Sequence, residues 1–288
     1  MAHPERDALR VDPLARNHVT LAGRPGRPVV VLAHGFGASQ EMFAAVRAGF
    51  EPHHEVVLFD HVGAGSSDLS AYDARRHGSL AGYAEDLVEV LDALGRPPVH
   101  YVGHSAGVMI GVLAAGRRPD LFGTLSLIGA SPRYLDDEDY RGGFGRADVD
   151  GLLDAMEDNY VGWSEATAPV VMGNPDRPEL AEELARSFVR TQRHTALGFA
   201  RAIFLGDHRD ALAGVRTPTL VVQAAEDPMV PAEVGAYLHA RIAGSELARL
   251  SATGHFPHVS GPEETTRVVR DFLDRHELDG YAHDRIAS

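Results

Sequence analysis

The 288-residue chain is 44% hydrophobic and contains no cysteine, so it has the apolar material for a sizeable core and excludes disulfides, thiolate metal sites and cysteine nucleophiles. A net charge of −14 repels a phosphate backbone and argues against nucleic acid as a partner. All 27 basic residues are arginine, which excludes a catalytic lysine.

The first stretch, "MAHPERDALRVDP", is charged and proline-broken, with no apolar signal core. No apolar run further along approaches the ~20 residues of a membrane span. The expectation is a cytoplasmic protein with no membrane partner. Residues 1–11 and 279–288 are expected to be disordered tails.

Between these ends, apolar runs alternate with helical patterns, which predicts an α/β fold with a mainly parallel sheet flanked by helices. "VVVLAH" (29–34), "EVVLFD" (55–60), "VHYVGH" (99–104), "TLSLIG" (124–129) and "TLVVQA" (219–224) are the predicted buried strands. Among the helices, "YAEDLVEVLDALG" (83–95) carries Leu87, Val90, Leu91 and Leu94 on one face before a glycine stop. "PEETTRVVRDFLDRHE" (262–277) opens on proline and acids, as the helix dipole favours.

The stretch 131–214 breaks this alternation. It reads as four short helices near 147–160, 163–172, 178–190 and 195–205, with no strand. An ordinary connection runs about 2–6 residues, so this predicts a helical cap over the strand ends, where open α/β folds bind ligands. The expected core is then 12–130 and 215–278, with the cap at 131–214.

Chemistry is concentrated where predicted strands end. "GHSAG" (103–107) sets Ser105 between glycines at a strand-to-helix turn, the pattern that exposes a serine nucleophile. A serine needs a base, an acid to orient the base, and donors for the oxyanion. His255, in "SATGHFPHVSGPEE", lies between the short apolar segment "SELARL" and the terminal helix and is the predicted base; His258 is its rival. Asp227, just past the strand "TLVVQA", is the predicted acid, preferred over Glu226 for its shorter side chain backed by Pro228. Serine, acid, histidine is the chain order of α/β-hydrolase triads. The oxyanion donors are expected to be the backbone N–H groups of Ala106, at a helix N-terminus, and Phe36, in "AHGFG". The glycine-rich loop "FDHVGAGSSD" lacks G-x-G-x-x-G spacing and reads as a turn at the rim of the site. No third ligand joins His255 and His258, so neither a metal nor a cofactor is expected. A serine at the turn also disfavours dehalogenase and epoxide-hydrolase chemistry, which uses an aspartate there.

With these residues in place, the chain resembles the RsbQ-type bacterial stress-response hydrolases and, more distantly, the plant karrikin and strigolactone receptor hydrolases. The resemblance spans about 13–275 and is carried by "ARNHV", "AHGFG", "FDHVGAGSSDLSAYD", "GHSAG", "YLDDEDYRGGF", "MEDNYVGW", "NPDRPE", "GDHRDAL" and "GHFPHVSGPEE". It implies an α/β-hydrolase core, a four-helix cap shaped as a V, and a Ser105–His255–Asp227 triad under an apolar pocket. It also implies small ester- or lactone-like ligands, and signalling for some members. Phe36, Trp163, Phe199 and Phe204 are the expected pocket wall. Thr167 stands where the plant receptors carry an aromatic, which implies a wider or more polar roof.

The resulting expectation is a cofactor-free serine hydrolase for a small, largely apolar ester or lactone. One alternative is a ligand sensor that hydrolyses slowly and binds a regulatory protein, as in a stress-response sigma-factor pathway, through the acidic, glycine-hinged "YLDDEDYRGGFGRADVD". A third reading is a perhydrolase using the same triad.

Overall fold

A computed structural model describes residues 11–96, 98–276 and 278. Apart from Val11, the tails expected at 1–11 and 279–288 lie outside the described residues. Along the chain run α1 (Pro13–Arg16), β1 (Thr20–Gly23), β2 (Val29–Ala33), α2 (Ala44–Phe50), β3 (Glu55–Phe59), α3 (Leu80–Leu94), β4 (Val99–His104), α4 (Ala106–Arg117) and β5 (Phe122–Ile128). Then come α5 (Arg146–Asp158), α6 (Tyr160–Met172), α7 (Pro178–Arg190) and α8 (Arg193–Phe204). The chain closes with α9 (Arg209–Leu212), β6 (Thr219–Gln223), α10 (Ala232–Arg241), β7 (Glu246–Arg249), α11 (Pro257–Ser260) and α12 (Pro262–Leu273).

The strands form one seven-stranded sheet in the order β1-β3-β2-β4-β5-β6-β7. Only β1 runs antiparallel. Every residue of β2, β3, β4 and β6 is buried, because helices cover both faces of the sheet. Alternate strand residues serve the two sides. Val29, Val31, Tyr101 and Leu125 pack with α3 and α4, whereas Val30, Leu32, Val102 and Ile128 pack with α2 and α12. The α3 stripe turns Leu87, Val90 and Leu91 into the core, and the helix stops at Gly95 in the left-handed conformation (φ 59°).

Helices α5 to α8 fill the insertion between β5 and β6. Within it α5 packs on α6 and α8, and α6 on α7. The insertion is bonded to the loops at the strand ends: Thr195 Oγ1 donates to Gly63 O at 3.2 Å, and Asn174 Nδ2 to Thr253 O at 3.0 Å.

The acidic segment leading into the insertion keeps Asp136, Asp137, Glu138 and Asp139 exposed, but it is not without internal structure. It folds back on itself through bridges pairing Leu135 with Phe144 and Asp137 with Tyr140. Asp136 accepts from Gly143 N–H at 2.9 Å, and Asp137 pairs with Arg209 at 2.8 Å. Among the described residues, no helix is long and apolar enough to cross a membrane.

Candidate active site

The turn between β4 and α4 sets Ser105 at φ 53°, ψ −119°, a conformation that costs a non-glycine residue about 1–3 kcal/mol. Its N–H is held by Ile128 O at 2.9 Å. The flanking glycines are needed for space. A Cβ at Gly107 would stand 2.6 Å from Ala33 O, and one at Gly103 would stand 2.8 Å from Gly107 O. Close strand–helix packing and an outward-held serine are therefore the same requirement.

His255, on the loop after β7, brings Nε2 to 2.8 Å from Ser105 Oγ. Its Nδ1 lies 2.9 and 3.1 Å from the two carboxylate oxygens of Asp227. That carboxylate is fully buried and also accepts from Met229 N–H at 2.8 Å and Val230 N–H at 3.1 Å. Glu226 is exposed, and what it supplies is its backbone carbonyl, to Gly254 N–H at 2.8 Å. The rival base, His258, is elsewhere: it is buried and stacks on Phe43, with ring centroids 4.6 Å apart. Burial, then the neighbouring His255, pushes its pKa down to about 3, so it is a neutral core residue. Among the described residues, no group of three or more His, Cys, Asp or Glu is placed to hold a metal ion.

Two backbone N–H groups close to the serine in the chain or in space are the candidate oxyanion donors. Ala106 opens α4, so helix geometry gives its N–H no intrahelical acceptor. Gly35 passes directly over the Ser105 side chain and carries Phe36 N–H with it. That peptide is fixed from its other end, because His34 Nδ1 donates to Gly35 O at 2.8 Å. His61 N–H donates to His34 Nε2 at 3.1 Å, which assigns the neutral tautomer. His34 is completely buried, and that burial lowers its pKa and keeps it uncharged. Gly35 O and Phe36 N–H lie on one planar unit, so holding the carbonyl aims the N–H.

The loop "FDHVGAGSSD" belongs to this support and not to the rim. None of 59–68 lines the cavity. Instead the buried Asp60 carboxylate accepts from Gln40 N–H and Ser66 N–H, both at 2.8 Å, and ties the two loops together.

Above Ser105 and His255 lies a cavity of about 280 Å³. Phe36, Trp163, Thr167 and Phe204 line it as expected pocket residues. Phe199 does not. It sits one layer back, 4.5 Å from the Tyr83 ring and 6.0 Å from that of Phe36. Tyr134, Phe144, Phe188 and Met229 also line the cavity and were not anticipated. Tyr134 brings its hydroxyl to 3.4 Å from Ser105 Oγ. Its signal was position, just past β5 on the edge of the sheet where ligands bind.

Comparison with known proteins agrees with this architecture. A profile described as the alpha/beta hydrolase fold matches residues 28–262. "Strigolactone esterase D14" of Arabidopsis thaliana is 39% identical over 251 residues, which cover 87% of this chain and 94% of that protein. "Karrikin insensitive 2 receptor CA" of Petunia hybrida is 38% identical, covering 87% of this chain and 92% of its own. Among solved structures, the hydrolase olei00960 from Oleispira antarctica superposes with a TM-score of 0.89 at 37% identity, covering 91% of this chain and 96% of that one.

Proposed function

The chain belongs to the alpha/beta hydrolase fold family, and from that premise we propose that it is a cofactor-free serine hydrolase of the RsbQ type. It cleaves small, largely apolar esters or lactones through an acyl-enzyme on Ser105. The observation that carries this is the continuous chain from Ser105 Oγ to His255 Nε2 at 2.8 Å and from His255 Nδ1 to buried Asp227 at 2.9 Å.

In this reading His255 takes the hydroxyl proton as Oγ attacks the carbonyl carbon. The oxyanion that forms is met by the N–H groups of Phe36 and Ala106. Collapse breaks the carbon–oxygen bond to the alcohol, which leaves with the proton from His255. Water, deprotonated by the same histidine, then attacks the acyl-serine and releases the acid. Asp227 holds the imidazole tautomer and stabilises the transient imidazolium. In a lactone the alcohol stays tethered to the acyl group.

The substrate class follows from the lining. Among the described lining residues none is Asp, Glu or Arg, and the side chains with a polar group are Ser105, His255, Tyr134, Thr167 and the indole of Trp163. At about 280 Å³ the cavity is at the small end of ligand pockets, which run about 300–1,000 Å³. A neutral, compact substrate fits. Residues 131–214 serve as the cap, since α6 and α8 supply Trp163, Thr167 and Phe204 to the roof.

The sensor reading has one observation in its favour, the receptor name carried by the Petunia hybrida relative. The acidic segment supports it less, because Asp136 and Asp137 are bonded within the chain. A fluorophosphonate followed by an ester panel separates the two. A hydrolase is labelled on Ser105 and turns over many equivalents of ester. Labelling elsewhere would refute the mechanism, and arrest after one equivalent would favour the sensor.

A further inference from the structure

Helix α7 buries a stripe of Leu184, Ser187 and Phe188, three and four residues apart. A serine in an otherwise apolar stripe needs a partner for its hydroxyl. The usual partner inside a helix is the carbonyl one turn back. Ser187 makes a different bond: its Oγ donates to Gly37 O at 2.7 Å, joining α7 to the loop that carries Phe36 N–H.

The same loop residue is held a second way. Gly37 adopts φ +67°, and a Cβ there would lie 1.9 Å from the Phe188 ring. Phe188 also packs against Phe36, with ring centroids 5.9 Å apart, and both rings line the cavity. On the core side, His34 holds the Gly35 carbonyl. The loop is thus held at the donor peptide itself by His34, from the core, and two peptides further on, at Gly37, by the α7 pair.

We propose that Ser187 is a positioning residue of the oxyanion hole, through which the four-helix insertion sets the aim of Phe36 N–H at Ser105. The inference rests on the serine-hydrolase reading. It assigns the insertion a part in transition-state stabilisation beyond shaping the cavity. A substrate pressing on Phe188 and Phe36 loads the loop, and the Ser187 bond keeps the donor in register.

Ser187→Ala tests it, because alanine is the best helix former and leaves α7 intact. Three quantities are compared with wild type: the rate of Ser105 phosphonylation by a fluorophosphonate, kcat for p-nitrophenyl acetate, and affinity for an unreactive ether of similar size. The ether is read by fluorescence of Trp163, the single tryptophan, which lines the cavity. Phosphonylation and kcat should fall about 10- to 100-fold, since a displaced donor loses most of its value to the transition state. Ether affinity should stay near wild type, because the bond is not part of ground-state binding, while the melting temperature falls by a few degrees as the buried Gly37 carbonyl loses its partner. Unslowed labelling in Ser187→Ala overturns this inference alone. So does a loss of ether affinity in step with kcat, which marks a general loosening of the pocket. Wild-type protein that takes no label overturns the hydrolase reading and this inference with it.

Discussion

Gly35 crosses Ser105 so closely that a Cβ added to Gly35 would stand 2.7 Å from the Ser105 Cβ. No side chain fits there without moving the loop, and the loop holds Phe36 N–H. Gly35→Ala should therefore force the loop and the Ser105 side chain apart and push the donor off the oxyanion. Losing one such donor costs about 10²–10³ in kcat. We expect a loss of that size with p-nitrophenyl acetate, in protein whose circular dichroism is unchanged. Full activity would show that the second donor is not on this loop.

The two adjacent acids separate cleanly. The Asp227 carboxylate is buried against His255, whereas Glu226 is exposed. Asp227→Asn should lower kcat by about 10⁴ because the imidazole is held in the wrong tautomer. Glu226→Gln should leave kcat within about twofold. Steady-state kinetics on the two variants checks both, and the reverse order would reassign the acid.

What the sequence made legible follows from how each element is buried. The central strands read clearly because both faces are covered, which leaves nearly unbroken apolar runs. The candidate triad could be picked out because Ser105 and Asp227 lie just past predicted strands, His255 follows a short apolar segment, and the three come in the order serine, acid, histidine. Strand β1 did not read at all. It has four residues, none fully buried, and Leu21 faces solvent. Phe199 shows a different limit: periodicity says that α8 is buried on one face but not which layer that face meets. Tyr134 lies in irregular chain, where no period points inward. Ser187 was visible in principle as the polar residue in the α7 stripe.

Stability should fall on the acid side. Burial, then the neighbouring His54 and His276, pushes His100 down to about 3, and burial pushes His258 equally low. His34, His54, His61 and His104 are lowered as well, each chiefly by burial. A histidine whose folded pKa is depressed binds its proton more readily when unfolded, near 6.5. Its contribution is therefore complete above about pH 6.5 and is lost as pH falls toward 3. Urea unfolding between pH 4 and 6 should show a steep slope. His100→Gln should reduce that slope by about 1 kcal/mol per pH unit. An unchanged slope would mean that His100 is not linked to folding.

Thr167 and Phe199 make opposite predictions about the cavity. Thr167 lines it, so Thr167→Phe adds a ring to a space of about 280 Å³. Octanoate esters should lose about tenfold or more in kcat/KM, while acetate is nearly unaffected, because only the longer chain meets the new ring. Phe199→Leu changes the layer behind the lining, beside Tyr83. It should lower Tm by a few degrees and leave chain-length preference alone. A p-nitrophenyl ester series with thermal melts tests the pair together. A chain-length shift in Phe199→Leu would place that ring in the binding wall after all.

Tyr134 supplies the most discriminating measurement. Burial raises the pKa of its hydroxyl, so it stays protonated and able to donate. At 3.4 Å from Ser105 Oγ the contact is long for an O–H···O bond, which leaves the hydroxyl free to turn to an oxygen arriving at the serine. If it steadies the departing alkoxide, its value depends on how poor the leaving group is. Nitrophenolate needs little help, whereas an alkoxide needs a great deal. Tyr134→Phe should therefore cost an ethyl or butyl ester about tenfold or more in kcat and a p-nitrophenyl ester of the same acid almost nothing. Equal losses for both leaving groups would place the hydroxyl on the oxyanion or on packing, and no loss with either would make it a wall residue only.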